Sequence, residues 1–239
     1  MTKPLINQLT AINNRRLYQQ IADQIRALIQ QGRFPVGGRL PPERELALQL
    51  GVSRPSVREA LIALEIDGSV EIRMGAGVYV CGASERAPES TTSLGESPIQ
   101  LIQTRSALEG SAIALACGLA TPEGIDAVSK ALEGMRAAIA DGRSPLKEDR
   151  DFHLAIVEVT GNSVMLRLVR ELFDARHNRI ASHMRKRSDN FEAWASALRE
   201  HEAILRALES RDVLWAQTAM RSHLQASQDR WVGSRQEWS

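Results

Sequence analysis

The sequence predicts a mainly α-helical chain, with an N-terminal helix-turn-helix unit that carries a small β wing and an all-α helical bundle behind it. Three observations predict this. Residues 39–80 read as helix, tight turn, helix and two-stranded hairpin in immediate succession. Residues 82–98 lose all apolar periodicity, and from Ile99 onward only helical periods recur. At 239 residues the chain is long enough for two such units, each burying its own core. The boundaries that follow are 1–81 for the winged unit, 82–98 for a linker and 99–239 for the bundle.

In chain order, residues 1–13 read as a loosely ordered arm. Leu17, Ile21, Ile25, Leu28 and Ile29 then repeat at helical spacing and form a scaffold helix. Pro41 and Pro42 open a helix whose apolar positions Leu46, Ala47 and Leu50 share one face, and Gly51 supplies the turn after it. Ser53 stands where an N-cap belongs, with Pro55 in the first turn and Val57, Ala60, Leu61 and Leu64 as the buried stripe. The opposite face carries Arg54, Ser56 and Arg58. Val70–Arg73 and Gly77–Val80 alternate like strands about a turn at Gly75.

That order of elements is a winged helix-turn-helix, and its residue types suit double-stranded DNA. A helix entering the major groove by its N-terminal end uses Arg against guanine edges, while Ser hydroxyls and backbone N–H groups hold phosphates. Arg54 and Arg58 lie four apart, Arg44 sits near the start of the preceding helix, and Arg73 with Gly75 carries the wing toward the adjacent groove. The charge balance agrees. Through Val80 there are ten Lys/Arg against seven Asp/Glu, whereas the remainder has twenty against twenty-two. The excess is modest, so charge alone would not identify a nucleic-acid binder.

Cys81 and Cys117 show neither metal spacing nor a disulfide framework and read as two reduced thiols. Apolar runs are broken by charge every few positions, with no membrane span and no signal peptide, so a soluble cytoplasmic protein with no membrane partner is expected.

The helical half predicts one long segment from Ile99 that carries Leu101, Leu108, Ile113 and Leu115, then helices over roughly 122–141, 145–161, 162–186, 190–209 and 211–231. Three of them carry a constellation of Asp149, His153, His201 and His223. Asp149 and His153 are four apart and share one side of a helix. Each histidine sits in an apolar stripe, which points it into the bundle. Two readings stand on spacing alone. Three histidines can simply pack helices, or a buried carboxylate and three imidazoles can offset their desolvation by sharing a cation. Nitrogen and oxygen donors without thiolates suit a divalent ion such as Zn²⁺, Ni²⁺ or Mn²⁺. Asp151 competes as a carboxylate but points away at two residues from His153. His177 and His183 read as surface or helix-packing residues.

The segments LPPERELA, GVSRPSVREAL and GAGVYV resemble the GntR superfamily of bacterial transcription regulators. DRDFHLAI, EHEAILRAL and RSHL resemble the FCD ligand-binding domain of its FadR-type subfamily. The resemblance implies operator contacts by Arg44, Ser53, Arg54 and Arg58, with Ser56 and Gly75 as helpers. Met74 stands at the wing tip where some relatives carry a polar or basic residue. The resemblance also implies a divalent ion on Asp149, His153, His201 and His223. Arg105 takes the family position that meets a ligand carboxylate, although an ion pair with Glu109 is an equal alternative. Arg176 and Asn178 are further candidates for the cavity wall. The function implied is a homodimeric, metabolite-responsive regulator, a repressor released by a small carboxylate effector such as a sugar acid or hydroxy acid. ALEIDGSVEIRMGAGVYV and DFHLAIVEVTGNS look most like regulators of hexuronate catabolism, so a hexuronate is the first effector expected. A metal-dependent enzyme and a pure metal sensor are the rival readings. The enzyme would need a general base, and Asp151 and Glu202, the nearest carboxylates, point outward.

Overall fold

The computed structural model describes residues 16–73, 75–82 and 94–232. The N-terminal arm, Met74 at the wing tip and most of the linker lie outside the described residues. The described elements are α1 (Leu17–Gln30), α2 (Glu43–Leu50), α3 (Arg54–Ile66), β1 (Val70–Arg73), β2 (Gly77–Val80), α4 (Pro98–Leu119), α5 (Pro122–Ala140), α6 (Leu146–Val159), α7 (Ser163–Ala175), α8 (Arg179–Ser188), α9 (Phe191–Glu209) and α10 (Val213–Val232).

The N-terminal core forms because α1, α3 and the wing each present one apolar face. Helix α1 contributes Tyr18, Ile21, Ala22 and Ile25, and α3 contributes Val57, Ala60, Leu61 and Leu64. Each large aliphatic side chain buried here is worth about 1.5–3 kcal/mol. Leu17 and Leu28, expected on the buried stripe, remain largely exposed at the helix edge. The strands pair antiparallel with Val70 opposite Val80 and Ile72 opposite Val78, so all four of these side chains enter the core. Gly51 ends α2 in the left-handed region at φ 65°, where a side chain would be strained. Gly77, at φ 113°, adopts a backbone conformation that a side chain would strain, and a Cβ there would also displace the end of the Arg39 side chain.

The bundle packs α4 against α10, α5 against α6 and α9, and α9 against α10. Its core draws Ile113, Phe152, Ile156, Ile204, Leu208 and Met220 together. A smaller cluster of Ala112, Leu154, Val157, Val169 and Phe173 lies between α4, α6 and α7. Cys81 and Cys117 are free thiols. No described helix is long and apolar enough to cross a membrane.

One sequence expectation fails here. The single helix expected over 162–186 is two helices, broken at Arg176–Asn178. Asn178 causes the break by capping: its Oδ1 accepts from the Ala181 backbone N–H at 2.8 Å, and its amide donates to the Glu96 and Ala175 carbonyls. The break frees α8 to leave the bundle. Ile180 and Met184 of α8 are buried in the N-terminal core, together with Leu94. The two halves of the chain therefore share a core through one short helix.

Candidate metal centre and effector cleft

Helices α6, α9 and α10 bring Asp149, His153, His201 and His223 to one point. One donor atom from each lies within 4.8 Å of the other three, and all four residues are buried. The i, i+4 spacing on α6 stacks Asp149 over His153. The other two enter from across the bundle. The imidazoles pack edge and face, with His201 and His223 centroids 4.3 Å apart, and Phe152 meets the His201 ring edge-on at 4.6 Å.

The far nitrogens show why the rings point inward. His201 Nδ1 contacts the Ala197 carbonyl oxygen at 2.7 Å, His223 Nδ1 contacts Glu200 Oε2 at 2.7 Å, and His153 Nδ1 lies 2.5 Å from Glu109 Oε2. With Nδ1 of His201 and His223 engaged as donor, their Nε2 is left as a lone pair. His153 Nε2 and His201 Nε2 are buried with no hydrogen-bond partner, 3.8 and 3.3 Å from Asp149 Oδ1. Buried imidazole nitrogens without a partner are costly, and a cation between them and the carboxylate removes that cost. The donor set therefore fits a divalent ion bound by nitrogen and oxygen.

The electrostatics agree. Burial lowers the His223 imidazole to about 3 and also lowers His153, so both favour the neutral form that coordinates. Burial pushes the Asp149 carboxyl up, but the facing His201 ring and the Arg176 charge outweigh this and hold it well below the carboxylate range. Asp149 thus offers an anion.

Beside this centre a cleft opens, lined by Arg105, Asp149, Arg176, Arg185, His223 and Arg230 among others. Arg105 and Arg176 both stack on Phe173, with guanidinium carbons 3.8 and 4.4 Å from its ring centroid. Arg176 donates to Asp149 Oδ2 at 3.3–3.4 Å, which leaves Oδ1 toward the histidines. Arg105 pairs with Glu109 through Nε at 2.6 Å while also lining the cleft, so the pairing and the cavity position hold together. Asn178 does not reach the cleft, because its side chain is spent on capping α8 and on the Glu96 carbonyl. Glu200, Arg185, Asp189, Trp194 and Arg230 were missed by sequence reasoning. Glu200 precedes His201 and reaches a different histidine on α10, a relation that spacing along one helix does not show. The carboxylates weighed as a general base sit elsewhere: Asp151 pairs with Lys147 at 2.7 Å, and Glu202 with Arg136 at 2.8 Å, both toward solvent.

On the winged unit, Arg44, Ser53, Arg54, Arg73 and Gly75 are exposed and Ser56 is half-buried. Ser53 caps α3 by accepting from the Ser56 N–H at 3.3 Å. Arg73 folds over Tyr79 and pairs with Glu71 at 2.7 Å. Arg58 departs from the exposed face expected of it. It is 5% exposed and forks onto Glu43 of α2 through two hydrogen bonds of 2.7 and 2.9 Å, because its position on α3 faces the neighbouring helix.

Comparison with known proteins agrees with both halves. The model of bacterial regulatory proteins of the gntR family matches residues 17–80, and the FCD domain model matches residues 100–226. The chain is 37% identical to the Uxu operon transcriptional regulator of Escherichia coli (strain K12), over 90% of this chain and 87% of that protein. It is 32% identical to the Exu regulon transcriptional regulator of the same strain, over 88% and 83%, and 34% identical to its putative L-lactate dehydrogenase operon regulatory protein, over 88% and 84%. The solved structure of E. coli McbR/YncC, at 21% identity, covering 89% of this chain and 95% of that one with a TM-score of 0.50, shares the fold. The chain belongs to the GntR family of bacterial transcription regulators: it is a DNA-binding regulator with an FCD domain, and not an enzyme.

Proposed function

We propose that this chain is a repressor that binds a palindromic operator as a homodimer and is released by a small organic acid bound in the cleft beside a divalent ion. The observation that carries the reading is the convergence of three imidazoles and Asp149 on one buried point at the wall of an arginine-lined cleft. When bound, the ion supplies a positive charge that can take a carboxylate oxygen. The protein's own residues do the rest. Arg105 and Arg176 present cationic edges to the same carboxylate, and Phe173 keeps both guanidiniums flat against the wall. Residues 1–81 read DNA through Arg44, Ser53, Ser56 and Arg54, with Arg73 and Gly75 on the wing, and Arg58 braces α3 on α2. The effector class is a sugar acid, hexuronate first. The support is the 37% and 32% identity to regulators named for the Uxu operon and the Exu regulon.

The test is a thermal-shift panel of glucuronate, galacturonate, gluconate and L-lactate, with and without a chelator, followed by operator binding with the best binder. A hexuronate shift that the chelator abolishes, together with weaker operator binding, is expected. Metal alone changing operator affinity, with no acid binding, would replace this reading with that of a metal sensor.

A further inference from the structure

Two carboxylates stand behind the histidines. Glu200 of α9 accepts from His223 of α10, and Arg230 clamps the same carboxylate with two hydrogen bonds of 2.7 and 3.0 Å. Glu109 of α4 lies against His153 of α6 and is clamped by Arg105 at 2.6 Å. The two arrangements repeat one order, from arginine to glutamate to the histidine Nδ1. Each spans two different helices, and each arginine lines the cleft. We propose that Glu200 and Glu109 are positioning residues of the metal centre, which fix the tautomer and ring orientation of His223 and His153 so that each turns an Nε2 lone pair toward the ion. This rests on the metal-binding reading above.

The physical reason is specific to imidazole. A neutral ring carries one proton on either nitrogen, and only the Nδ1–H tautomer can coordinate through Nε2. A carboxylate acceptor on Nδ1 selects that tautomer, stops the ring from rotating and raises the basicity of the coordinating nitrogen. His201 obtains the same tautomer from the Ala197 carbonyl within its own helix. His223 and His153 obtain it from other helices, which is where the long Glu side chain is needed. The arginines hold each carboxylate in place behind its histidine, Arg230 on Glu200 at 2.7 and 3.0 Å and Arg105 on Glu109 at 2.6 Å.

The experiment measures Zn²⁺ affinity of the full-length protein at neutral pH by competition with a chromophoric chelator, and the Co²⁺ ligand-field spectrum of the same proteins. Glu200→Ala is expected to weaken Zn²⁺ binding about 10- to 100-fold and to alter the Co²⁺ spectrum. Glu200→Gln keeps an acceptor without the charge and is expected to fall between. Glu202→Ala, on the same helix but paired outward with Arg136, is expected to bind as the unaltered chain does. Helix content of the metal-free variants, read by circular dichroism, separates positioning from bracing, and if Glu200→Ala fails to fold, Glu200→Gln decides. Unchanged affinity in a folded Glu200→Ala or, in that case, Glu200→Gln protein would overturn the proposal while leaving the metal site standing. Absence of Zn²⁺ binding in the unaltered chain would overturn both.

Discussion

His183 Nε2 lies 2.7 Å from Glu65 Oε2, and this contact ties α8 to the last turn of α3. Arg187 reinforces it, donating to both Glu65 oxygens at 2.7 and 3.3 Å and to the Ile72 carbonyl of the wing at 3.1 Å. The same short helix carries Arg185, which lines the cleft and donates to the Arg176 carbonyl at 2.8 Å. One ten-residue helix thus touches both the cleft wall and the DNA-reading helix. Coupling between the two sites requires differential affinity for two arrangements, and α8 is the element placed to distinguish them.

If α8 carries the coupling, Glu65→Ala reduces the effector-induced change in operator affinity by roughly 0.5–2 kcal/mol. Metal content and effector affinity measured without DNA stay as they are. Fluorescence anisotropy on a selected operator, with and without the effector, checks this. An undiminished response in a folded variant would show that the signal bypasses Glu65.

Arg54 and Arg58 are expected to separate cleanly. Arg54→Ala costs roughly 1–3 kcal/mol at the operator and leaves thermal stability unchanged, because its side chain is exposed. Arg58→Ala leaves Glu43 as a buried uncompensated carboxylate and destabilises the winged unit by about 3–5 kcal/mol. Denaturant unfolding and operator binding of the two variants, read side by side, distinguish the reader from the brace. Equal stability of both variants would contradict this assignment.

A pH dependence follows from Glu59. This carboxyl on α3 is buried against the start of α4, accepting from Ser97 Oγ at 2.7 and 2.8 Å and from the Ile99 N–H at 3.0 Å. Burial pushes it from 4.5 up to about 7. A carboxyl whose folded value is raised favours the folded state when protonated, so its contribution is present below about 4.5 and is lost as pH rises through about 7. The loss is on the order of 2–4 kcal/mol. Denaturant unfolding between about pH 4.5 and 7 is expected to show it as a fall in stability with rising pH, and Glu59→Gln is expected to flatten that slope. An equal slope in the variant would assign the pH dependence to another group.

Much of the fold could be read from the sequence because local signals agreed with packing. Ser53, Pro55 and the stripe from Val57 to Leu64 all specify the same helix, and the wing's period of two buries Val70, Ile72, Val78 and Val80 as expected. The buried cluster of Asp149, His153, His201 and His223 was legible for the same reason, since i, i+4 spacing and apolar stripes point these side chains inward, while the divalent ion was implied by the resemblance alone. What the sequence hid depends on contacts between distant segments. Arg58 looks like an exposed reader until Glu43, fifteen residues earlier, is seen to face it. Asn178 sits in a run that reads as one helix, and its capping of α8 depends on the Glu96 carbonyl from the linker side. Glu200 acts across helices on His223, which no periodicity within α9 reveals.

Elemental analysis of the purified chain is the decisive measurement for the buried donor cluster. About one divalent ion per chain is expected, as four converging donors imply, together with its loss in the combined His153→Ala and His201→Ala variant. A variant that keeps the metal content of the unaltered protein, or an unaltered protein that holds no divalent ion when supplied with one, would contradict it.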